Sequence, residues 1–97
     1  MNRQEHLLVI LSEECAELSK EVSKALRFGL NDHEPEKTET NAQRIVSEFN
    51  DLVAIIGMLK DIGSLDEKEF VNLKAIEAKQ KKVEKWFKYS QRVGTLS

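Results

Sequence analysis

The segment IVSEFNDLVAIIGML, residues 45–59, decides the fold class of this chain. Its apolar residues lie on nearly every side of a helix with about 3.6 residues per turn, whereas a half-buried strand would alternate apolar and polar residues. We therefore expect a buried helix. Thr40 or Asn41 is suited to cap its start, and it should run to about Ile62 and stop at Gly63.

Helical periodicity continues on both sides of this segment. From Asn2 to about Phe28 the apolar residues recur at intervals of three and four, which predicts one long amphipathic helix. Residues 31–39 are polar and read as a loop. Residues 64–67 match a capping box and open a third helical region, a short turn followed by a long helix that reaches about Tyr89.

The expected fold class is all-α, because no segment alternates with period two. With 97 residues, the chain is predicted to be a single helical domain, 1–97, with a flexible tail at 91–97. Three or four helices of this amphipathicity form a bundle that leaves apolar surface uncovered. We expect a second subunit to complete the bundle, in a homodimer or a dimer of dimers.

Charge is distributed unevenly along the chain. Residues 1–67 contain seven basic and fourteen acidic side chains, whereas residues 68–97 contain eight basic and three acidic ones. The lone Cys15 cannot form an intramolecular disulfide, and its place on the apolar stripe predicts a small core residue. The apolar runs are too short for a secretory signal or a membrane span. We expect a cytoplasmic protein with neither a membrane nor a nucleic-acid polymer as partner.

Two pairs of acids have the i,i+3 spacing that places both side chains on one helix face. Glu14 and Glu17 form one pair, and Glu48 and Asp51 form the other on the most apolar helix. A buried carboxylate is neutral, paired with a base or bound to metal, and Arg44 alone cannot neutralise two inward acids. Oxygen-only ligation favours Mg²⁺, or Mn²⁺ in its place. A solvated helix face remains the alternative for the first pair.

The basic C-terminal region offers cations at helical spacing. Lys81, Lys85 and Lys88 follow i, i+4, i+7, and Lys82, Lys85 and Tyr89 form an adjacent row. Such cations could hold phosphate oxygens, although a solvated face or a basic helix C-terminus would look the same.

Aromatic and basic residues elsewhere suggest further substrate contacts. Phe28 and Trp86 could stack on a nucleobase, with a place in the core or an interface as the alternative. Lys24 and Arg27, one turn apart near the end of the first helix, could reach a triphosphate, although solvated helix ends would show the same residues.

The two acid motifs resemble a family signature. E-E-C-A-E at 13–17 and E-F-N-D at 48–51 match the E-E-x-x-E and E-x-x-D elements of the MazG-like all-α nucleoside triphosphate pyrophosphohydrolases, and the chain looks most like the short, single-domain phage versions. The resemblance also covers the segments 19–20, 24–29, 41–44 and 85–90.

This resemblance implies the all-α fold of that family and a Mg²⁺-dependent hydrolase. The enzyme would split a nucleoside triphosphate, or its deoxy form, between the α- and β-phosphates. Glu13 and Glu14 would be the catalytic carboxylates, with Glu13 orienting or deprotonating the attacking water. The metal ligands would be Glu14, Glu17, Glu48 and Asp51. The residues expected to contact substrate are Lys24, Arg27, Phe28, Lys82, Lys85, Trp86, Lys88 and Tyr89.

The chain also departs from the family pattern. Some relatives have tyrosine where Ile55 stands, many have asparagine at Trp86, and many have proline at Ser90. The gap between Glu17 and Glu48 is at the long end of the family range. The preferred base therefore does not follow from the resemblance. The alternative function is that of a non-catalytic helical dimer that binds a protein or a nucleotide.

Overall fold

Three α-helices form the chain in a computed structural model that describes residues 1–97, apart from the side chain of Glu69. The helices are α1, Arg3–Phe28; α2, Asn41–Asp61; and α3, Leu73–Arg92, with a short 3-10 turn at Glu67–Glu69 before α3. The described backbone contains no strand. The all-α prediction is therefore confirmed, and so is a short turn followed by a long third helix.

Each helix begins at a residue whose side chain accepts a backbone N–H. Asn2 caps α1 in a capping box with Glu5, and Thr40 caps α2 in a capping box with Gln43. These caps satisfy backbone donors that have no partner within the helix. Asn72 caps α3, so this helix begins beyond the predicted capping box at 64–67.

Helices α1 and α2 run antiparallel, as the order of their contacts shows. Glu21, late in α1, is ion-paired with Arg44, early in α2, whereas Glu14, earlier in α1, lies beside Asp51, later in α2. This arrangement brings the acids predicted on each helix to one side of the helix pair.

The loop between α1 and α2 is anchored at both ends. Gly29 ends α1 with a φ of 98°, a conformation that side chains other than glycine rarely adopt. Asn41 is buried; its side chain donates to the Gly29 carbonyl at 2.8 Å and its backbone N–H donates to the Asp32 carbonyl at 2.8 Å. These bonds fix where α2 starts relative to the end of α1.

The apolar interior is small. Leu7 and Leu59 are the buried apolar residues among those described, with 4% and 0% of their surface exposed. The prediction that α2 is buried on most sides is wrong for the single chain, because Val46, Phe49 and Val53 are about half exposed. One partner helix can cover only one side of α2, and these three residues share another side.

An exposed apolar stripe also follows α1. Cys15 is exposed, and Leu8, Val22 and Leu26 are exposed on the same side of the helix. The prediction of a core Cys15 is therefore wrong for the single chain. The inward side of α1 carries Leu7 and Glu21, and the stripe lies on a different side.

The chain divides into two compact units, residues 1–66 and 67–97. The first, which we call the acidic unit, contains α1 and α2. The second, the basic unit, contains the 3-10 turn and α3, and α3 extends to Arg92 rather than Tyr89. After α3 the backbone turns back, and Thr95 N–H donates to the Ser90 carbonyl at 2.9 Å. The described helices include none with the length and apolar character of a membrane span.

Candidate metal site

Acids from α1 and α2 converge in two overlapping groups. Carboxylate oxygens of Glu14, Glu48 and Asp51 all lie within 4.8 Å of one another, and the same is true of Glu17, Glu21 and Glu48. Glu48 belongs to both groups. We call the five residues together the acidic cluster.

The structure brings all four predicted metal ligands into this cluster. Glu14 and Glu48 are partly buried, whereas Glu17 and Asp51 are exposed. Glu13, the predicted water-activating residue, is exposed and lies outside both groups. Successive residues on a helix point about 100° apart, which turns Glu13 away from the side that carries Glu14.

Glu48 is under electrostatic pressure. Its side chain is 13% exposed, and the loss of water raises the pKa of this carboxyl, as do the negative charges of Asp51, Glu14 and Glu17. The guanidinium of Arg44, 3.8 Å away, lowers the pKa but does not cancel the rise. A bound cation would relieve this repulsion, because it would interact with all these carboxylates at once.

Glu21 is the cluster member that sequence reasoning missed. Its position beside the first acid pair predicted a place toward the polar side of α1, and this prediction is wrong, since only 1% of Glu21 is exposed. Arg44 Nε from α2 lies 3.2 Å from Glu21 Oε2, and Lys24 Nζ lies 3.5 Å from Glu21 Oε1. The one signal in the sequence was its spacing, four residues after Glu17.

Lys24 connects the cluster to the loop. Its Nζ donates to Glu34 Oε1 at 2.7 Å, and Lys37 Nζ lies 3.1 Å from Glu34 Oε2. The hydrogen bond from Lys24, reinforced by Lys37, lowers the pKa of Glu34 to about 2, and the same bond raises the pKa of Lys24. Lys24 also lines a cavity of about 310 Å³ together with Phe28 and Pro35.

The other predicted substrate residues lie at exposed positions. On α1, the Arg27 guanidinium lies 5.0 Å from the centre of the Phe28 ring. On α3, the Trp86 and Tyr89 rings meet edge to face with centres 5.4 Å apart, and Lys85 Nζ lies 5.6 Å from the Trp86 ring. Five basic or aromatic residues of α3 line one shallow surface, the basic-aromatic surface: Lys81, Lys85, Trp86, Lys88 and Tyr89. Lys82 is exposed outside it.

The donor set of the acidic cluster fits a hard divalent cation. All ligand atoms are carboxylate oxygens, and among the described residues no histidine or cysteine joins either group. Mg²⁺ and Mn²⁺ prefer such oxygens and complete their coordination with water. The exposed side of Asp51 leaves room for water or phosphate ligands.

No protein-family model, curated protein or solved structure matches this chain. Its own residues therefore carry the functional inference: the acidic cluster on the helix pair and the basic-aromatic surface on α3.

Proposed function

We propose that the protein is a Mg²⁺-dependent nucleoside triphosphate pyrophosphohydrolase of the MazG-like type. The reaction would convert a ribo- or deoxynucleoside triphosphate into the monophosphate and pyrophosphate. One observation carries the proposal: acids from two helices meet at Glu48, whose pKa is raised by burial and by its acidic neighbours. A fold gains nothing from crowding like charges, and such sites are more often functional.

The cluster residues would act through placement and charge. Glu14, Glu48 and Asp51 would hold the ion, and Glu17, on the next turn of α1, would bind one of its waters. Bound Mg²⁺ would neutralise phosphate charge and lower the pKa of a coordinated water. The oxygen of the attacking water would bond to the α-phosphorus as the bond to the bridging oxygen breaks, and pyrophosphate would leave. Glu13, exposed beside the cluster, would accept the proton of that water.

The basic-aromatic surface would serve the rest of the substrate. Lys85 and Lys88 would bind phosphate oxygens, while Trp86 or Tyr89 would stack on the base. Lys82 would add positive charge from a neighbouring position on α3.

On α1, the residues near the helix end would complete substrate binding. Phe28 offers a second aromatic face, and Arg27 offers a cation one residue away. Lys24, held by Glu34, would contribute positive charge at the edge of the cavity rather than a free ammonium.

The working form would be a homodimer or a dimer of dimers. Support comes from the exposed apolar stripe of α1 and from Val46, Phe49 and Val53 on α2. Apolar surface of this extent is normally covered by another subunit.

A non-catalytic helical dimer is the second candidate. It is favoured by α3, which presents basic and aromatic side chains and buries none of its residues. Such a module would bind a nucleotide or an acidic protein without turning it over, and it would have no need of a metal.

Pyrophosphate release tests the two candidates directly. The purified protein with Mg²⁺ should release pyrophosphate from at least one of the common ribo- or deoxynucleoside triphosphates. Glu48→Gln and Asp51→Asn should reduce the rate to background with the helical circular dichroism retained, while Asn50→Gln, an exposed neighbour, should leave it unchanged. Full activity in both acid variants would exclude the proposed ligands, and the absence of pyrophosphate from every substrate would exclude the enzyme.

A further inference from the structure

The two acid groups that share Glu48 have different neighbours. The group of Glu17, Glu21 and Glu48 faces a guanidinium, since Arg44 Nε lies 3.2 Å from Glu21 and Arg44 Nη2 lies 3.8 Å from Glu48. In the described part of the chain, the other two members of the first group, Glu14 and Asp51, have no basic side chain within ion-pair distance. One group thus already holds a cation, and the other does not.

The contact between Glu21 and Arg44 is unusual for a buried ion pair. Glu21 Oε2 and Arg44 Nε are both inaccessible to water, yet neither makes a hydrogen bond with any described residue. Their 3.2 Å separation therefore reflects attraction between charges without alignment of the N–H bond. The buried oxygen of Glu21 is held by a charge that approaches it from the side, as a metal ion would.

We infer that the guanidinium of Arg44 stands in the place of a second divalent cation, so that the nucleotide-free protein binds one metal ion per chain. That ion lies at Glu14, Glu48 and Asp51. This inference rests on the proposed function for the existence of the first ion and adds the number of ions. Its physical basis is that Arg44 neutralises Glu21 and would repel a second ion across the shared Glu48.

Removal of the guanidinium should open the second group. Arg44→Gln leaves Glu21 without its main counter-charge, beside two further carboxylates, and an ion can then replace the lost cation. Arg44→Lys keeps a cation there and should keep the second group closed. The double variant Glu21→Gln with Arg44→Gln removes both charges and should return the count to one ion, because the second group then lacks its buried carboxylate.

Mn²⁺ titration followed by calorimetry and electron paramagnetic resonance tests the inference. The wild-type chain, Arg44→Lys and the double variant should each bind one magnetically isolated Mn²⁺. Arg44→Gln should bind two, with the coupled spectrum of ions that share a carboxylate. Arg3→Gln, which removes an exposed arginine at the start of α1, is the matched control and should bind one.

The outcomes separate the two claims. A wild-type chain that binds no Mn²⁺ would remove the proposed metal site altogether. Two coupled ions in the wild type, or one ion in Arg44→Gln, would overturn the inference and leave the metal site in place. If Arg44→Gln unfolds without metal, its refolding with two Mn²⁺ supports the inference, and refolding with one, or none at saturating Mn²⁺, overturns it.

Discussion

Residues 1–66 contain seven basic and thirteen acidic side chains and all of the buried residues described, whereas residues 67–97 contain eight basic and four acidic side chains and no buried residue. The acidic unit uses its interior for a charged cluster as well as for leucines. The basic unit is an amphipathic helix without an interior. The difference assigns distinct work to each: one unit gathers carboxylates for a cation, and the other displays cations for an anion.

The two units also differ in what stabilises them. In the acidic unit, Glu21 is neutralised by Arg44 and Lys24, so a charged residue can lie beneath the surface. Helix α3 has 20 residues but buries none of them, and isolated helices of this length are marginal in water. The basic unit therefore depends on a surface beyond itself for much of its order.

The largest expected effect separates cation binding from anion binding. Saturating Mg²⁺ should raise the unfolding midpoint of the wild type; a ligand at about 100 times its dissociation constant adds roughly 2.7 kcal/mol, which is on the order of 10 °C for a domain of this size. Glu48→Gln should abolish this rise. Lys85→Gln, in the basic unit, should retain it and raise the KM for nucleotide. Differential scanning calorimetry and steady-state kinetics measure the two effects.

This comparison would break down if the lysine variant lost the metal response. Such a result would mean that the basic unit contributes to cation binding as well. A metal rise that persisted in Glu48→Gln would move the ion away from the acidic cluster.

The next effect concerns the apolar side of α2 in the acidic unit. Phe49→Glu places a charge among Val46 and Val53, and it should convert the assembly to a species with the 11.1 kDa mass of one chain. Burying an unpaired carboxylate at an interface costs several times what an exposed one does. Analytical ultracentrifugation measures the mass. Asn50→Glu adds the same charge at the neighbouring exposed residue and should leave the assembly intact.

An unchanged assembly in Phe49→Glu would place the interface elsewhere. The exposed stripe of α1 or the basic unit would then be the contact between subunits.

The helices and caps were predictable from sequence because they depend on local interactions. The Thr40 cap, the stop after Phe28 and the spacing of Glu48 and Asp51 all act within a few residues, and each appears in the structure. The meeting of Glu48 with the acids of α1 also followed, since an apolar helix with two acids must turn them toward a partner.

The burial of particular side chains was not predictable in the same way. Glu21 appeared solvated because its counter-charge, Arg44, comes from the other helix. Cys15 appeared buried because it lies among apolar residues, yet α2 covers a different side of α1. Both errors have one cause: helical periodicity identifies an apolar side but not which neighbour covers it.

A smaller effect reveals the cost of the acidic cluster when no metal is present. With chelator present at pH 7, Glu48→Gln should melt a few degrees above the wild type. The pKa of Glu48 is raised in the folded state, so ionisation of this carboxyl opposes folding increasingly as the pH rises above the unfolded-state value. The neutral amide removes that cost.

Saturating Mn²⁺ should reverse the order of the two proteins, because only the wild type then gains binding energy. Thermal unfolding in chelator and in Mn²⁺ measures both states. A metal-free Glu48→Gln that melts below the wild type would show that Arg44 stabilises Glu48 more than the neighbouring acids destabilise it.

The smallest effect lies at the loop of the acidic unit, where opposite charges meet at the surface. Lys24 and Lys37 lower the pKa of Glu34 to about 2, so its contribution to stability is complete above the unfolded value of 4.5 and disappears as the pH falls toward 2. Glu34→Gln should therefore melt slightly below the wild type at pH 7 and with it near pH 2. The difference should shrink in high salt, since exposed ion pairs are weak and screened. Glu36→Gln, which changes an exposed loop carboxylate that lies outside this pair of contacts, should show no difference at either pH; a deficit in Glu34→Gln that persisted at pH 2 would assign the effect to packing of the loop instead of charge.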